Sequence, residues 1–282
     1  MNFIEAIILG IIQGLTEFLP ISSTAHLTLS GKFMGLISDK NPESWTAFMA
    51  VIQLGTMIAV LFYFRNDIIK ILVDFISDNL IKRKSFNAQS NNSRLGWFII
   101  LGSIPVIVIG LAFKDLIEGA FTKNLYVISI SLIVLAIILA IAEKFGKFLK
   151  DENQLAVVPS ILIGIAQAFA LIPGSSRSGT TITAGLFLGY KRDVAARFSF
   201  LLSIPAVLGS GLLEFYQSLQ YLTSSELLNL IVGTVSAAVS GYFAIHFLIT
   251  YLKKHSTFIF IYYRIIIGAV ILILIFSNII KP

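Results

Sequence analysis

The chain has 282 residues, of which 56% are hydrophobic, 13% charged and 12% aromatic. Soluble domains carry about 25% charged residues, so half that charge over this length excludes a water-soluble domain and a disordered chain. The absence of cysteine excludes disulfides, zinc–thiolate sites, iron–sulfur clusters and cysteine nucleophiles. The net charge of +6 fits basic loops beside a membrane and does not suggest nucleic acid.

Met1 to Leu19 is apolar but lacks a basic leader, since Lys32 is the first cation and Glu5 and Glu17 interrupt the stretch. The segment is therefore expected to stay in the mature fold rather than be cleaved. Apolar runs long enough to span follow at 46–64, 95–113, 124–142, 198–217, 228–250 and 257–279. They are too continuous for barrel strands, so each predicts a helix. The stretch 65–94, with Lys82-Arg83-Lys84 and then Asn87 to Ser93, predicts a solvated loop against anionic lipid. Two apolar regions, 1–37 and 155–190, are broken by polar residues: Thr16 to His26, and Pro173 to Thr181.

The two broken regions resemble each other. Gly10-Ile-Ile-Gln13 matches Gly164-Ile-Ala-Gln167, and Leu19-Pro20-Ile21-Ser22-Ser23 matches Ile172-Pro173-Gly174-Ser175-Ser176 with a one-residue gap between the blocks. Ser103-Ile-Pro-Val106 echoes Ser203-Ile-Pro-Ala206 at another spacing. The fold predicted is an all-α integral membrane protein: a polytopic helix bundle with inverted-topology repeats and two re-entrant helical hairpins. It forms one membrane domain, 1–282, with repeat halves 1–115 and 153–282 and a linking span 116–152. If both broken regions dip in and return, fourteen Lys and Arg fall in loops on one side (65–94, 143–153, 191–197, 251–256). Five fall on the other (32–45, 114–123, 218–227, C-terminus). The first side is then cytoplasmic, and the broken segments meet in the bilayer around a shared site.

The residues able to do chemistry cluster in the breaks. Glu17 is a carboxylate at membrane depth, where a cavity or a partner is required. Gln13 lies one turn before it on the same face. The pair could hold a divalent cation through oxygen or orient a nucleophile. Gln167, the counterpart of Gln13, has Leu171 where an acid would be needed, which points to a structural role. Ser22, Ser23 and Thr24 follow Pro20. One of them can cap the next helix, and one could be a nucleophile with Glu17 or His26 as base. In Pro173-Gly-Ser-Ser-Arg-Ser-Gly-Thr-Thr181, the Ser175, Ser176, Ser178, Gly179 and Thr180 groups at a helix start suit an anion. Arg177 there supplies a planar fork for phosphate oxygens or pairs with Glu17. His246, His255, Arg264 and Glu214 are expected to pack, snorkel or pair.

Glu5-Ala-Ile-Ile-Leu-Gly-Ile-Ile-Gln-Gly-Leu-Thr-Glu-Phe-Leu-Pro-Ile-Ser-Ser-Thr-Ala-His-Leu27 resembles the N-terminal signature of the bacterial undecaprenyl-diphosphatase, or bacitracin-resistance, family. Val51-Ile-Gln-Leu-Gly-Thr56, Pro173 to Thr180 and Arg197-Phe-Ser-Phe-Leu-Leu-Ser-Ile-Pro205 are similar to its later blocks. The resemblance implies a multi-pass phosphatase of the bacterial cytoplasmic membrane. Such an enzyme converts undecaprenyl diphosphate to undecaprenyl phosphate, the carrier lipid of peptidoglycan synthesis, and opens to the extracytoplasmic side. It implies catalytic roles for Glu17, Ser23, His26 and Arg177, and diphosphate binding by Ser22, Thr24, Ser175, Ser176, Ser178, Gly179 and Thr180. It also implies Mg²⁺ or Ca²⁺ at Glu17 and Gln13. Where other members carry Glu, this chain has Gln13, so that cation would meet one carboxylate and one carboxamide. Ser23 is the expected nucleophile and Ser22 the second choice, with direct attack by water equally compatible. The partners are the lipid substrate and membrane lipid, and a homodimer is compatible with the reading. The alternative is a polyprenyl-phosphate flippase that uses the same site.

Overall fold

A computed structural model describes residues 1–37, 42–113, 124–218 and 224–281. Among these residues the chain is helical, apart from breaks and turns and one isolated bridge between Lys150 and Tyr190. The helices are α1 (Phe3–Phe18), α2 (Ser23–Phe33), α3 (Pro42–Tyr63), α4 (Arg65–Ile76), α5 (Asn91–Ala112), α6 (Leu125–Phe145), α7 (Val157–Ala168), α8 (Arg177–Phe187), α9 (Arg192–Ser218), α10 (Ser224–Leu252) and α11 (Phe258–Phe276). Five of them, α5, α6, α9, α10 and α11, are long and apolar enough to cross a membrane. α3 and α4 together make a sixth candidate, bent by 73°. The six apolar runs of the sequence therefore coincide with six helices. The expected boundary between repeat half and linking span, at 115/116, lies outside the described residues. So do 38–41, 114–123 and 219–223 of the cation-poor loops.

One expectation is corrected. Residues 65–81 are not a solvated loop: α4 continues through a π-helical turn, Ser77–Ile81. Arg65, Asp67, Lys70 and Asp74 alternate with Ile69, Leu72, Val73 and Ile76, whose side chains are exposed. Charged and apolar residues interleaved on one helix are the pattern of an amphipathic segment. The density of charge hides the apolar face in a linear reading. The loop proper is 82–90, held to Asp78 by Lys84 (2.8 Å) and the Ser90 N–H (2.8 Å).

The bundle is apolar outside and polar in its middle. On α6, Ile130, Val134, Ile137 and Ile141 are exposed at helical spacing, as are Ile231, Val235, Val239 and Phe243 on α10. Gln13, Glu17, Gln167, Ser199, Ser203 and Arg264 are buried. Water would reverse this arrangement and lipid favours it.

Helix pairing places the breaks. α1 packs along α10, and α7 along α5. Both pairs approach at backbone distance. A Cβ on Gly10 would sit 2.3 Å from the Gly233 oxygen, and one on Gly164 2.0 Å from the Gly102 oxygen. Small residues at such contacts let helices associate in lipid, where apolar area gives no drive. α3 packs on α9 and α10, α5 on α9, and α11 on α6. Arg192 pairs with Glu143, Glu143 accepts from the Thr257 hydroxyl (2.8 Å), and Arg197 pairs with Glu152 and Asp67. These bonds tie α4, α6, α9 and the start of α11 together at the cation-rich side.

Candidate active site

The two broken regions share one local structure. α2 and α8 each have 11 residues, and each is preceded by a serine N-cap with positive φ, Ser22 (φ 74°) and Ser176 (φ 66°). Non-glycine residues rarely hold this conformation, at about 1–3 kcal/mol each. The caps help to sustain it, since Ser22 Oγ accepts from the Ala25 N–H (3.4 Å) and Ser176 Oγ from the Gly179 N–H (3.1 Å). Gly174 (φ 87°) completes the second break. A Cβ there would meet the Ile128 oxygen at 2.4 Å, so only glycine fits.

This structure corrects the repeat register. Phe3 and Val157, Gln13 and Gln167, Ser22 and Ser176, and Phe33 and Phe187 correspond without a gap. The one-residue gap in the sequence comparison came from matching Pro20 to Pro173. Backbone geometry matches Ser22 to Ser176 instead. Ser23 therefore corresponds to Arg177, and Glu17 to Leu171. The first residues of α2 and α8 differ in chemistry while sharing a position.

Those residues converge on Glu17, which is 6% exposed. Its Oε1 accepts from Arg177 Nη2 (2.6 Å) and from Gln53 Nε2 (3.4 Å). Its Oε2 accepts from the Ser23 hydroxyl (2.7 Å) and from Gln13 Nε2 (3.1 Å). The expected ion pair from Arg177 to Glu17 across the two breaks is present. A cavity of about 520 Å³ adjoins it. Glu17, Ser22, Ser23, Thr24, Gln53, Gln167, Ser176 and Arg177 form its polar wall, while α5 (Val106, Ile107, Leu111) and α9 (Pro205, Val207, Leu213) supply an apolar wall. Glu214 also lines it.

The remaining expected residues are placed differently. Ser175, Ser178, Gly179 and Thr180 are buried and do not line the cavity. The Ser178 hydroxyl donates to the Leu19 carbonyl (3.1 Å) and Thr180 Oγ1 to the Arg177 carbonyl (3.0 Å), so both brace the break from behind. His26 is likewise not part of the cavity wall. Its Nδ1–H donates to the Ser22 carbonyl (2.7 Å), a group that only accepts. Its Nε2 meets the Tyr263 hydroxyl (2.8 Å), and the two rings stack at 5.6 Å. His246 bonds Tyr63 and His255 stacks on Tyr251, as packing roles require.

Two contributors, Gln53 and Tyr263, carry no expectation from the sequence, and a third, Arg264, differs from the one it carries. Gln53 sits mid-span on α3, and its single amide in an apolar run was the available signal. Tyr263 holds His26. Arg264 neither snorkels nor pairs with a carboxylate. Fully buried, it donates to the carbonyls of Leu132 (3.2 Å), Pro20 (3.3 Å), Gly174 (3.3 Å) and Ser175 (3.0 Å). One guanidinium thereby fastens both breaks to each other and to α6. An arginine in a span with no acid at helical spacing was its signal.

The comparisons agree with this picture. The sequence profile of the family described as "Bacitracin resistance protein BacA" matches residues 6–270. A protein of Syntrophobacter fumaroxidans named "Undecaprenyl-diphosphatase" is 54% identical over 278 residues, 99% of each chain. Proteins of the same name from Chlorobium chlorochromatii and Chlorobaculum tepidum are 50% and 48% identical, with 100% of each chain covered. The buried Glu17–Arg177 pair between two broken helices thus stands in a chain that, over nearly its whole length, belongs to the BacA bacitracin-resistance family.

Proposed function

We propose that the chain hydrolyses undecaprenyl diphosphate to undecaprenyl phosphate and inorganic phosphate. The observation that carries this is the Ser23–Glu17–Arg177 constellation in a cavity with one polar and one apolar wall. The substrate has the same two-part character. Its headgroup suits the Arg177 end, and its prenyl chain suits α5, α9 and the lipid beyond them.

Ser23 is the nucleophile this geometry favours. Ser22 Oγ is engaged as a helix cap, whereas the Ser23 hydroxyl already donates to a carboxylate. Glu17 takes the Ser23 proton as Oγ bonds to the terminal phosphorus; the bridging P–O bond breaks, and Glu17 passes that proton to the departing undecaprenyl phosphate, which leaves the carboxylate free again. Water then cleaves the phosphoserine, losing its proton to Glu17 and returning one to Ser23. Glu17 acting directly on water gives the same products. Arg177 holds Glu17 through Nη2, while Nη1 is buried without a protein partner and would be satisfied by a phosphate oxygen entering the cavity. Charge neutralisation of this kind is most of what phosphoryl transfer requires. His26 keeps the Ser22 carbonyl in place and offers a proton route through Tyr263.

A divalent cation fits this donor set through hard oxygens. Among the described residues no three His, Asp or Glu side chains gather to hold one. Glu17 and the Gln13 carboxamide would therefore hold Mg²⁺ or Ca²⁺ together with the diphosphate's own oxygens. When bound, it would supply positive charge to neutralise the diphosphate.

We read the fold as two inverted-topology repeats with re-entrant hairpins α1–α2 and α7–α8. The equal lengths of α2 and α8 and the two strained caps support this. So does the exchange of partners: α1 packs on α10 of the other half, and α7 on α5. We read the chain as a protein of the bacterial cytoplasmic membrane with its site opening away from the cytoplasm; the excess of loop cations on one side supports that orientation. A pure flippase is not favoured, because translocation needs no nucleophile on a carboxylate. Phosphate release from farnesyl diphosphate by purified protein in detergent tests the assignment, with Arg177→Ala alongside. Release by the wild type and its loss in a folded variant are expected; no release by the wild type overturns the assignment.

A further inference from the structure

Six buried side-chain nitrogen and oxygen atoms have no hydrogen-bond partner among the described residues. Three of them, Gln167 Nε2, Gln167 Oε1 and Arg177 Nη1, belong to residues that line the same cavity. Gln167 is 1% exposed. Buried amides are rarely left with neither donor nor acceptor satisfied, and each such instance needs an explanation.

The repeat explains how this one arises. Gln13 and Gln167 occupy the same position in the two broken segments. Gln13 gives its amide to Glu17, four residues on. Gln167 has Leu171 four residues on, so it has no acceptor on its own helix. Leu or Met would fill the same volume on α7 without unmet polar atoms. A carboxamide at this point makes physical sense if something entering the cavity completes it.

We propose that Gln167 contacts the substrate headgroup, with Nε2 donating to a non-bridging oxygen of the diphosphate that also takes Arg177 Nη1. Oε1, which only accepts, takes a proton donor from a water bound beside the phosphate. The proposal rests on the phosphatase reading and extends it to the half of the protein that lacks the carboxylate. One repeat brings Glu17 and the nucleophile. The other brings Arg177 and Gln167, whose unpartnered donors would serve the anion.

The test compares wild type, Gln167→Leu and Gln167→Asn in detergent. Three quantities are read: kcat and KM on farnesyl diphosphate, the unfolding midpoint without ligand, and the midpoint shift with farnesyl methylenediphosphonate or inorganic phosphate. Gln167→Leu is expected to lower kcat/KM by about tenfold to hundredfold, the range for a lost hydrogen bond to a charged group. The loss should fall mainly on KM, and the diphosphonate shift should shrink. The ligand-free midpoint should stay level or rise, because two unmet polar atoms disappear. A structural role predicts the reverse: a lowered midpoint with KM and the ligand shift unchanged. That result overturns the proposal. If the inorganic phosphate shift shrinks while the diphosphonate shift does not, Gln167 serves product and not substrate, and the proposal also falls. Gln167→Asn retains both groups but withdraws them by one methylene, and it should lose affinity with folding intact. It carries the test if the Leu variant does not fold. A wild type that releases no phosphate refutes the phosphatase reading itself, which separates the two failures.

Discussion

Arg264 gives the sharpest quantitative prediction. Its guanidinium makes four bonds to carbonyls, and three of those carbonyls, of Pro20, Gly174 and Ser175, lie in the two breaks outside any helix. None of the three accepts a backbone N–H among the described residues. Arg264→Met retains much of the side-chain volume and removes every donor. An unsatisfied buried carbonyl costs about 1–3 kcal/mol. Three at the low end give about 3 kcal/mol of destabilisation, which lowers an unfolding midpoint by roughly 6–12 °C for a domain of this size. Activity should fall further than stability at permissive temperature, because the same carbonyls set the directions of Ser22, Ser23 and Arg177. Arg264→Lys keeps the charge but has no planar fork spanning both breaks, so an intermediate loss is expected. Differential scanning fluorimetry in detergent and phosphate release at 20 °C measure the two effects. If Arg264→Met keeps the wild-type midpoint and rate, the guanidinium does not fasten the breaks and this reasoning is refuted.

Other outcomes follow from the same geometry. Glu17→Gln replaces an acceptor of four donors by a group that donates on one side. kcat should fall by about 10²–10⁴, the usual contribution of a positioned base, with purification behaviour unchanged; a rate near wild type would remove Glu17 from proton transfer. Ser23→Ala should abolish turnover with the midpoint unchanged. Ser22→Ala should lose about 0.5–2 kcal/mol of stability through its cap and retain measurable turnover; equal loss of kcat in the two would undo the nucleophile assignment. Gly174→Ala forces a Cβ onto the Ile128 oxygen at positive φ, and it should destabilise the fold by more than about 1 kcal/mol, as read by thermal unfolding.

The sequence by itself determined what depends on local composition and period. Six apolar runs became six helices because a span must satisfy its backbone internally and only a continuous apolar run can do so in lipid. The breaks were legible because Pro20, Gly174 and a polar run cannot continue a lipid-facing helix. Glu17 and Arg177 stood out because charge at that depth is rare. Tertiary structure decided what depends on pairing between distant segments. Glu17 and Arg177 are 160 positions apart, and no spacing rule shows that Ser23 rather than His26 reaches the carboxylate. Matching by letter aligns Pro20 with Pro173 and puts the two broken regions one residue out, whereas the strained serine caps align Ser22 with Ser176 in backbone angles. The sequence of α4 reads as loop because its apolar face is one face of a charged segment. The roles of Gln53, Gln167 and Arg264 were hidden for one reason. A polar side chain in a span announces only that it needs a partner, and which partner it finds, if any, is fixed by the packing of other helices against it.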